Sequence, residues 1–349
     1  GNTNQPIIRG PQPVREADYV VIESTYGDRL HGDEIPDYVG EFTRILRETF
    51  DRGGNVVIPS FAVGRTQELL YFIREIKEKN LLPEYPSFEV YVDSPLAIEA
   101  TTVFNKNVRS CFDEEAMALV ERGINPLVFP GLKTSITTEE SKQINLDERP
   151  KVIISASGMC EAGRIRHHLK HNLWRSECTI CFVGYQAVGT LGRKLLEGAQ
   201  VVKLFGETID VEAHIEKLDG ISGDADRNGL ITWVSAFKEN PAQVFRVHGD
   251  DDVGTSFAGL LHTDYGFETA SPFSGSVYDL AAGAWLKQTV GVPLRRETER
   301  QKENRTIFEL LVAAGERLMR VIRKNRECAN KDIKKFTADV NALCDKWDL

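Results

Sequence analysis

Several short segments place a polar or charged residue directly after an apolar run. They are Glu23-Ser-Thr-Tyr-Gly27, Ser60-Phe-Ala-Val-Gly-Arg65, Asp93-Ser-Pro95, Ser155-Ala-Ser-Gly-Met159, Gly184-Tyr-Gln186 and His248-Gly-Asp250. In alternating strand–helix proteins, ligands gather at the carboxyl ends of strands, so each segment is a candidate position for chemistry. A carboxylate such as Glu23 can hold or move a proton, and an imidazole such as His248 can do the same or bind a metal. Each also has a plainer reading: an acid ending a strand is often a turn or cap residue, and a lone histidine is often structural.

The segment from Ser60 to Arg65 is more specific. A turn of small residues, then Arg65 and Thr66 at a helix start, would aim backbone N–H groups and a guanidinium at one point, which suits an anion. The alternative is that Thr66 caps the helix and Arg65 faces water. Gly184 and Gly189 have the spacing of a phosphate-binding loop, but Thr190 stands where lysine is needed, so nucleotide hydrolysis is rejected. The first strand is followed by no dinucleotide fingerprint. The densest basic stretch is Arg164-Ile-Arg-His-His-Leu-Lys170-His171, with Arg175. It reads as a solvated helix face or as a stripe that tracks phosphates.

These segments need strands and helices to hold them. Apolar runs predict strands at Asp18–Glu23, Asn55–Pro59, Phe88–Val92, Pro150–Ile154, Thr179–Val183, Val201–Phe205, Ile209–Ile215 and Gln243–Val247. Helical spacing predicts helices at Tyr38–Phe50, Thr66–Lys79, from Ile98, at Glu161–Trp174 and at Gly229–Phe237, with a capping box at Thr137 and Glu140. The alternation argues for an α/β fold with a mostly parallel sheet. After Tyr278 the chain turns polar and helical. Phe308, Leu311, Gly315, Leu318 and Ile322 form one apolar stripe, for docking on the body or for pairing in a possible homodimer.

The 349 residues suit two or three domains, and the net charge of −9 excludes a protein coated all over by nucleic acid while allowing a local basic cleft. Six dispersed cysteines suggest no disulfide framework, hence a reducing, cytoplasmic compartment. Cys178 and Cys181 form one CxxC, but within a strand their sulfurs would face opposite sides, which favours a structural role. No apolar run is long enough for a membrane span.

Taken in order, Glu23-Ser-Thr-Tyr-Gly, Pro59-Ser-Phe-Ala-Val-Gly-Arg-Thr-Gln, Asp93-Ser-Pro-Leu-Ala, Ser157-Gly-Met, Gly184-Tyr-Gln-x-x-Gly-Thr-Leu-Gly-Arg, Ser222-Gly-Asp-Ala-Asp and Val247-His-Gly resemble the β-CASP branch of metallo-β-lactamase-fold proteins. That branch includes bacterial RNA-processing nucleases and the endonuclease subunit of the pre-mRNA 3′-end cleavage factor. The resemblance covers about residues 1–280 and implies the C-terminal part of an αββα sandwich with an inserted, Rossmann-like β-CASP domain. The implied divisions are a metallo-β-lactamase segment at 1–27, the β-CASP domain at 28–183, a second metallo-β-lactamase segment at 184–280 and a helical tail at 281–349.

The resemblance also implies a zinc-dependent RNA phosphodiester hydrolase, with two Zn2+ ions and RNA between the lobes. Glu23 matches the acid that orients a catalytic histidine, and His248 matches a zinc ligand. Ser60, Arg65, Ser157 and Ser222 match turns lining the RNA cleft, and Arg164 opens the basic stretch that could track phosphates. Two departures stand out. Most of the family's zinc ligands precede the acid matched by Glu23, yet only 22 residues precede it here and none is histidine. The expectation is an N-terminally truncated chain that does not retain zinc by itself. Asp224 also replaces the family's general-acid histidine, so turnover is expected to be strongly reduced. The alternative is a non-catalytic RNA-binding or partner-binding protein that kept the cleft.

Overall fold

The computed structural model describes residues 1–3, 5–30, 36–218, 223–292 and, toward the C-terminus, 311–312, 314–315, 318–319, 321–322 and 330–347. In chain order the elements are β1 (Tyr19–Glu23), α1 (Tyr38–Asp51), β2 (Val56–Pro59), α2 (Arg65–Glu78), β3 (Glu89–Val92), α3 (Pro95–Lys106), α4 (Val108–Cys111) and α5 (Glu114–Glu121). There follow β4 (Leu132–Thr134), α6 (Thr138–Leu146), β5 (Lys151–Ser155), α7 (Ile165–Asn172), β6 (Thr179–Phe182), α8 (Leu191–Leu196), β7 (Val201–Leu204), β8 (Glu207–Asp210) and β9 (His214–Lys217). Last come α9 (Arg227–Val234), β10 (Gln243–His248), α10 (Asp251–Tyr265), β11 (Thr269–Ala270), β12 (Val277–Asp279), β13 (Ala284–Lys287) and the C-terminal helix α11 (Asn330–Trp347). The chain divides into two compact units, Gly1–Gln288 and Thr289–Leu349.

Six strands form one sheet in the order β4-β3-β5-β2-β6-β9, and every pairing in it is parallel. Burial on both faces explains why its central strands read as unbroken apolar runs. Successive residues serve opposite cores. Val56, Ile58, Val152, Ile154 and Cys181 join α1 and α2 on one side, while Val57, Ile153, Ile180 and Phe182 join α7 and α8 on the other. Cys178 belongs to the second core, so the two CxxC sulfurs do face opposite sides of the sheet. The expected capping box is formed: Glu140 N donates to Thr137 Oγ1 at 3.2 Å, and Thr137 N donates to the Glu140 carboxylate at 2.9 Å.

A second, smaller sheet, β1-β10-β11, is also parallel and packs Val20, Ile22 and Val244 against Leu230 and Val234 of α9 and Phe257 and Leu261 of α10. Tyr19 and Phe245 of this sheet meet Tyr278 and Trp285 of the antiparallel β12–β13 pair.

Some expectations shift. The predicted strand Ile209–Ile215 is two: β8 closes an antiparallel hairpin with β7, and β9 then joins the large sheet beside β6. The helix expected from Glu161 starts at Ile165, because Gly163 has φ +78° and ends the preceding turn. The helix expected at Gly229–Phe237 runs from Arg227 to Val234. The helical character expected from 281 starts later, since β13 is a strand. Ile7, in the expected 1–27 segment, is buried in the core of the six-stranded lobe, and Ile8 bridges to Phe112.

Gly54 lies where the chain entering β2 crosses the chain entering β6, and a Cβ there would collide with the Glu177 carbonyl. Gly54→Ala is expected to lower stability by about 1–3 kcal/mol through this overpacking, read as the midpoint shift in urea.

Candidate functional site

Helices α2 and α7 leave the adjacent parallel strands β2 and β5 toward opposite faces of the sheet. Such a divergence opens a crevice beyond the carboxyl ends of the two strands, the usual ligand position in doubly wound sheets. The turns lining it here are Ser60–Gly64 and Ala156–Arg164. They touch: a Cβ on Gly158 would lie 3.5 Å from the Phe61 ring. Gln186, buried, donates from Nε2 to Gly158 O at 3.0 Å and so joins the turn after β6 to the same rim. Phe61 and Tyr185 stay open to solvent on it, at 53% and 43% exposure.

Ser60 is buried, with its Oγ 3.2 Å from both Phe61 O and Thr66 Oγ1. Its hydroxyl therefore shapes the turn. Arg65 opens α2 and pairs with Glu68, with both side chains largely buried. Ser157 is half-buried on the rim, and its carbonyl accepts from Cys160 N at 3.1 Å. Ser222 lies outside the described residues.

Arg164 is committed to an interior partner. Its Nη1 donates to Asp93 Oδ1 at 2.6 Å, and its Nη2 donates to Ile136 O at 2.6 Å. Asp93 is fully buried at the end of β3; its Oδ2 accepts from Ser141 Oγ at 2.6 Å and lies 2.7 Å from His168 Nε2. His168 is itself fully buried and meets Asn145 Oδ1 through Nδ1 at 2.9 Å. Burial alone would raise the Asp93 pKa, but the bonds from His168, Ser141 and Arg164 outweigh it and hold the carboxyl at about 2. The basic stretch thus points His168 inward, on the same helix face as Ile165 and Leu169, and is not wholly a surface feature.

The second cluster sits at the end of the small sheet. Glu23 and His248 are direct neighbours across β1 and β10. The Glu23 Oε2 accepts from Thr25 N at 2.6 Å, while its Oε1 is buried without a hydrogen-bond partner among the described residues. Ser24 donates to the His248 carbonyl from N at 2.7 Å and from Oγ at 2.6 Å. Arg246, also buried, donates from Nε to Ser24 Oγ at 2.9 Å. Gly249 follows at φ +117°, where a Cβ would strike the Ser24 backbone at 2.9 Å, so only glycine lets the two strand ends close. Tyr26 bridges to Asp226, which brings the segment of Asp224 to the same place. Burial raises the pKa of Asp224 first, and the Glu23 carboxylate raises it further; His248 and Arg65 act in the opposite direction.

That last relation matters, because Arg65 belongs to the large lobe and Glu23 and His248 to the small sheet. Glu23, His248 and the segment of Asp224 stand together at the end of the small sheet, and the Arg65 charge of the large lobe acts on Asp224. Arg164 and Ser157 stand on the rim of the large lobe. Sequence reading quoted Asp93 only as a strand end and missed the Ser24–Arg246 tie altogether.

Zinc needs about four ligands. Among the described residues no three His, Cys, Asp or Glu side chains are grouped so as to hold a metal ion. Of the described residues at the end of the small sheet only His248 is an imidazole, so they do not by themselves fit the zinc centre of a Zn-dependent metallo-hydrolase. No described helix is long and apolar enough to cross a membrane.

A doubly wound parallel lobe and a small sheet that ends in an acid and a histidine are what the β-CASP branch of the metallo-β-lactamase fold leads one to expect, and comparison with known proteins agrees. The chain belongs to that family of RNA-processing proteins: residues 66–195 match the Beta-Casp domain, and residues 208–272 match the Zn-dependent metallo-hydrolase RNA specificity domain. It is 37% identical over 261 residues to Ribonuclease TTHA0252 of Thermus thermophilus, covering 75% of this chain and 58% of that protein. It is 32% identical over 263 residues to transcription termination factor FttA of Methanocaldococcus jannaschii, covering 73% of this chain and 40% of that one. With FttA of Methanosarcina mazei the identity is 30% over 256 residues, 72% of this chain and 40% of that one. The chain therefore spans about half the length of the curated relatives it matches.

Asp93→Asn would leave Arg164 without its buried carboxylate and is expected to cost about 3–5 kcal/mol. The pH dependence has a definite sign. A carboxyl whose folded pKa lies near 2, below its ordinary 3.8, adds stability above the ordinary value and loses it as pH falls toward 2. The gap between the native protein and Asp93→Asn in denaturant midpoint should therefore be full at neutral pH and shrink between about pH 4 and about pH 2.

Proposed function

We propose that this chain supplies the RNA-binding crevice and part of the acid–base cluster of a zinc-dependent RNA phosphodiester hydrolase, and that on its own it binds RNA with little or no cleavage. The observation that carries this reading is the pairing of Glu23 with His248 at the strand ends of the small sheet, with the segment of Asp224 beside them, while the Arg65–Glu68 pair opens α2 on the large lobe and its guanidinium acts on Asp224. A phosphodiester lying between the two would meet a cation on one side and a proton donor on the other.

Asp224 is the group that could deliver that proton. Its raised pKa, from burial and from the neighbouring Glu23, favours the protonated carboxyl more than in an ordinary surface aspartate. The proton would pass from the Asp224 carboxyl to the leaving oxygen as the P–O bond breaks. A carboxyl is shorter than an imidazole and titrates further from neutral pH, so this transfer is inefficient at best. The donor set of the described residues offers no complete metal centre, which supports binding without turnover. A second reading, a non-catalytic RNA-binding or partner-binding protein, is favoured by Asp224 itself, since that residue replaces the expected histidine. Free Cys111, Cys160, Cys178, Cys181 and Cys344 fit a reducing, cytoplasmic setting for either reading.

The test is binding of single-stranded RNA to the chain, followed by fluorescence anisotropy, with cleavage and zinc content measured in parallel. Binding should weaken as salt rises, because phosphate contacts release counterions. The Arg65→Gln/Glu68→Gln double variant, which leaves no unpaired charge, should weaken it by about tenfold, the size of one lost charged hydrogen bond. After dialysis against trace zinc, the chain should hold less than a full dinuclear complement and leave the RNA intact. Two bound zinc ions with cleavage would overturn the claim of binding without turnover, and no RNA binding would overturn the RNA reading.

A further inference from the structure

The β7–β8 hairpin turns at Phe205 and Gly206, which both have left-handed backbones, with φ of 54° and 82°. Such two-residue turns favour Asn-Gly, and a bulky aromatic residue in the first position is strained. The hairpin does not need the ring as an anchor. Val202 and Leu204 already bury it in the core with Ile165 and Leu169 of α7, and Lys170 Nζ pins Glu207 at 2.6 Å. Phe205 is instead 46% exposed.

Its ring meets two residues of α7. The His167 ring stacks on it, with centroids 4.4 Å apart and an interplanar angle of 22°. The Arg166 guanidinium lies 4.9 Å from the Phe205 centroid. Partial burial, together with the neighbouring charges of His168, Lys170 and Arg166, lowers the His167 pKa, so its ring is neutral at neutral pH and stacks as an aromatic. Arg166 differs from the other arginines of this region. Arg164, Arg175 and Arg193 each pair with a carboxylate, whereas Arg166 pairs with none among the described residues. Its Nε is buried with no hydrogen-bond acceptor among the described residues, so the Phe205 ring holds a cation with no carboxylate partner among them.

This cluster directly follows the crevice rim. Helix α7 begins at Ile165, one residue after Arg164, so a strand leaving the crevice past Ser157 and Arg164 meets Arg166 and His167 in the next helical turn. We propose that His167, Phe205 and Arg166 form an outer subsite for an unpaired RNA nucleotide flanking the crevice, with its base stacked on the exposed rings and its phosphate on the Arg166 guanidinium. The inference rests on the RNA reading above. Stacking of this kind needs a base free of its partner, so the subsite selects single-stranded over duplex flanks.

The test is a length series of labelled single-stranded RNAs, from about four to about sixteen nucleotides, a span that brackets the site sizes of known single-strand binders. Each is titrated against the native chain, Phe205→Leu and Arg166→Gln, with thermal unfolding as a check on the fold. Phe205→Leu keeps an apolar residue and removes the ring; Arg166→Gln removes the half-buried cation and leaves no unpaired charge behind. The native chain should gain affinity with length. Each variant should lose about tenfold on the longer RNAs, the size of one lost base stack, and nothing on the shortest. A length gain that survives in both variants overturns this inference while leaving the RNA reading intact. Equal losses at every length also overturn it, since the cluster would then act through the fold. Absence of RNA binding by the native chain at all lengths overturns both.

Discussion

A carboxylate with no access to water must be matched by donors or it will not stay charged, and Asp93 is such a carboxylate. Its partners come from three places: Ser141 on α6, Arg164 at the crevice rim and His168 on α7, while Ser155 at the end of β5 donates from Oγ to the Asp93 backbone carbonyl at 2.9 Å. The network therefore ties the start of α7 and the turn after β5 to the end of β3 and to α6. The crevice has its shape because this buried charge has to be satisfied. Arg164 is held by that requirement and acts on the rim by shaping it.

The small sheet solves a similar problem with fewer residues. Buried Arg246 holds the Ser24 hydroxyl, Ser24 holds the His248 carbonyl, and Gly249 allows the two strand ends to close. Glu23 and His248 are placed side by side as a result. Each lobe thus uses an interior arginine to fix a polar site at strand ends. Charges from both lobes act on Asp224, Glu23 raising its pKa after burial and His248 and Arg65 lowering it. A zinc centre would need further ligands beside His248, and the partnerless Glu23 Oε1 marks a place where such a cluster is incomplete among the described residues.

Much of the large lobe was legible in the sequence because buried parallel strands such as Val56–Pro59 and Lys151–Ser155 leave unbroken apolar runs. The strands β4 and β9 escaped or were displaced because Leu132–Thr134 and His214–Lys217 lie on the sheet edges and are mixed in polarity. Short helices such as α8 and the whole of α10 left no clear period. The ordered turns identified the family, and the family model and relatives agree with it. The inner network was not legible: Asp93 and Arg164 are 71 residues apart, and Ser24 and Arg246 are 222 apart, with no local pattern linking either pair. For the same reason the sequence could present Arg164 as a free cation when its charge is already spoken for.

In the proposed binding mode RNA lies across the carboxyl ends of β2 and β5, with the backbone near Arg65 and the strand leaving along α7. The most direct test is photocrosslinking of a single-stranded RNA that carries a photoreactive base at successive positions, with the crosslinked peptides mapped by mass spectrometry. Crosslinks within residues 60–65, 156–167 and 184–190, moving along that path as the reactive base moves, are the predicted result. Crosslinks confined to α9, α10 or the C-terminal helix α11, with none on the crevice turns, would contradict it.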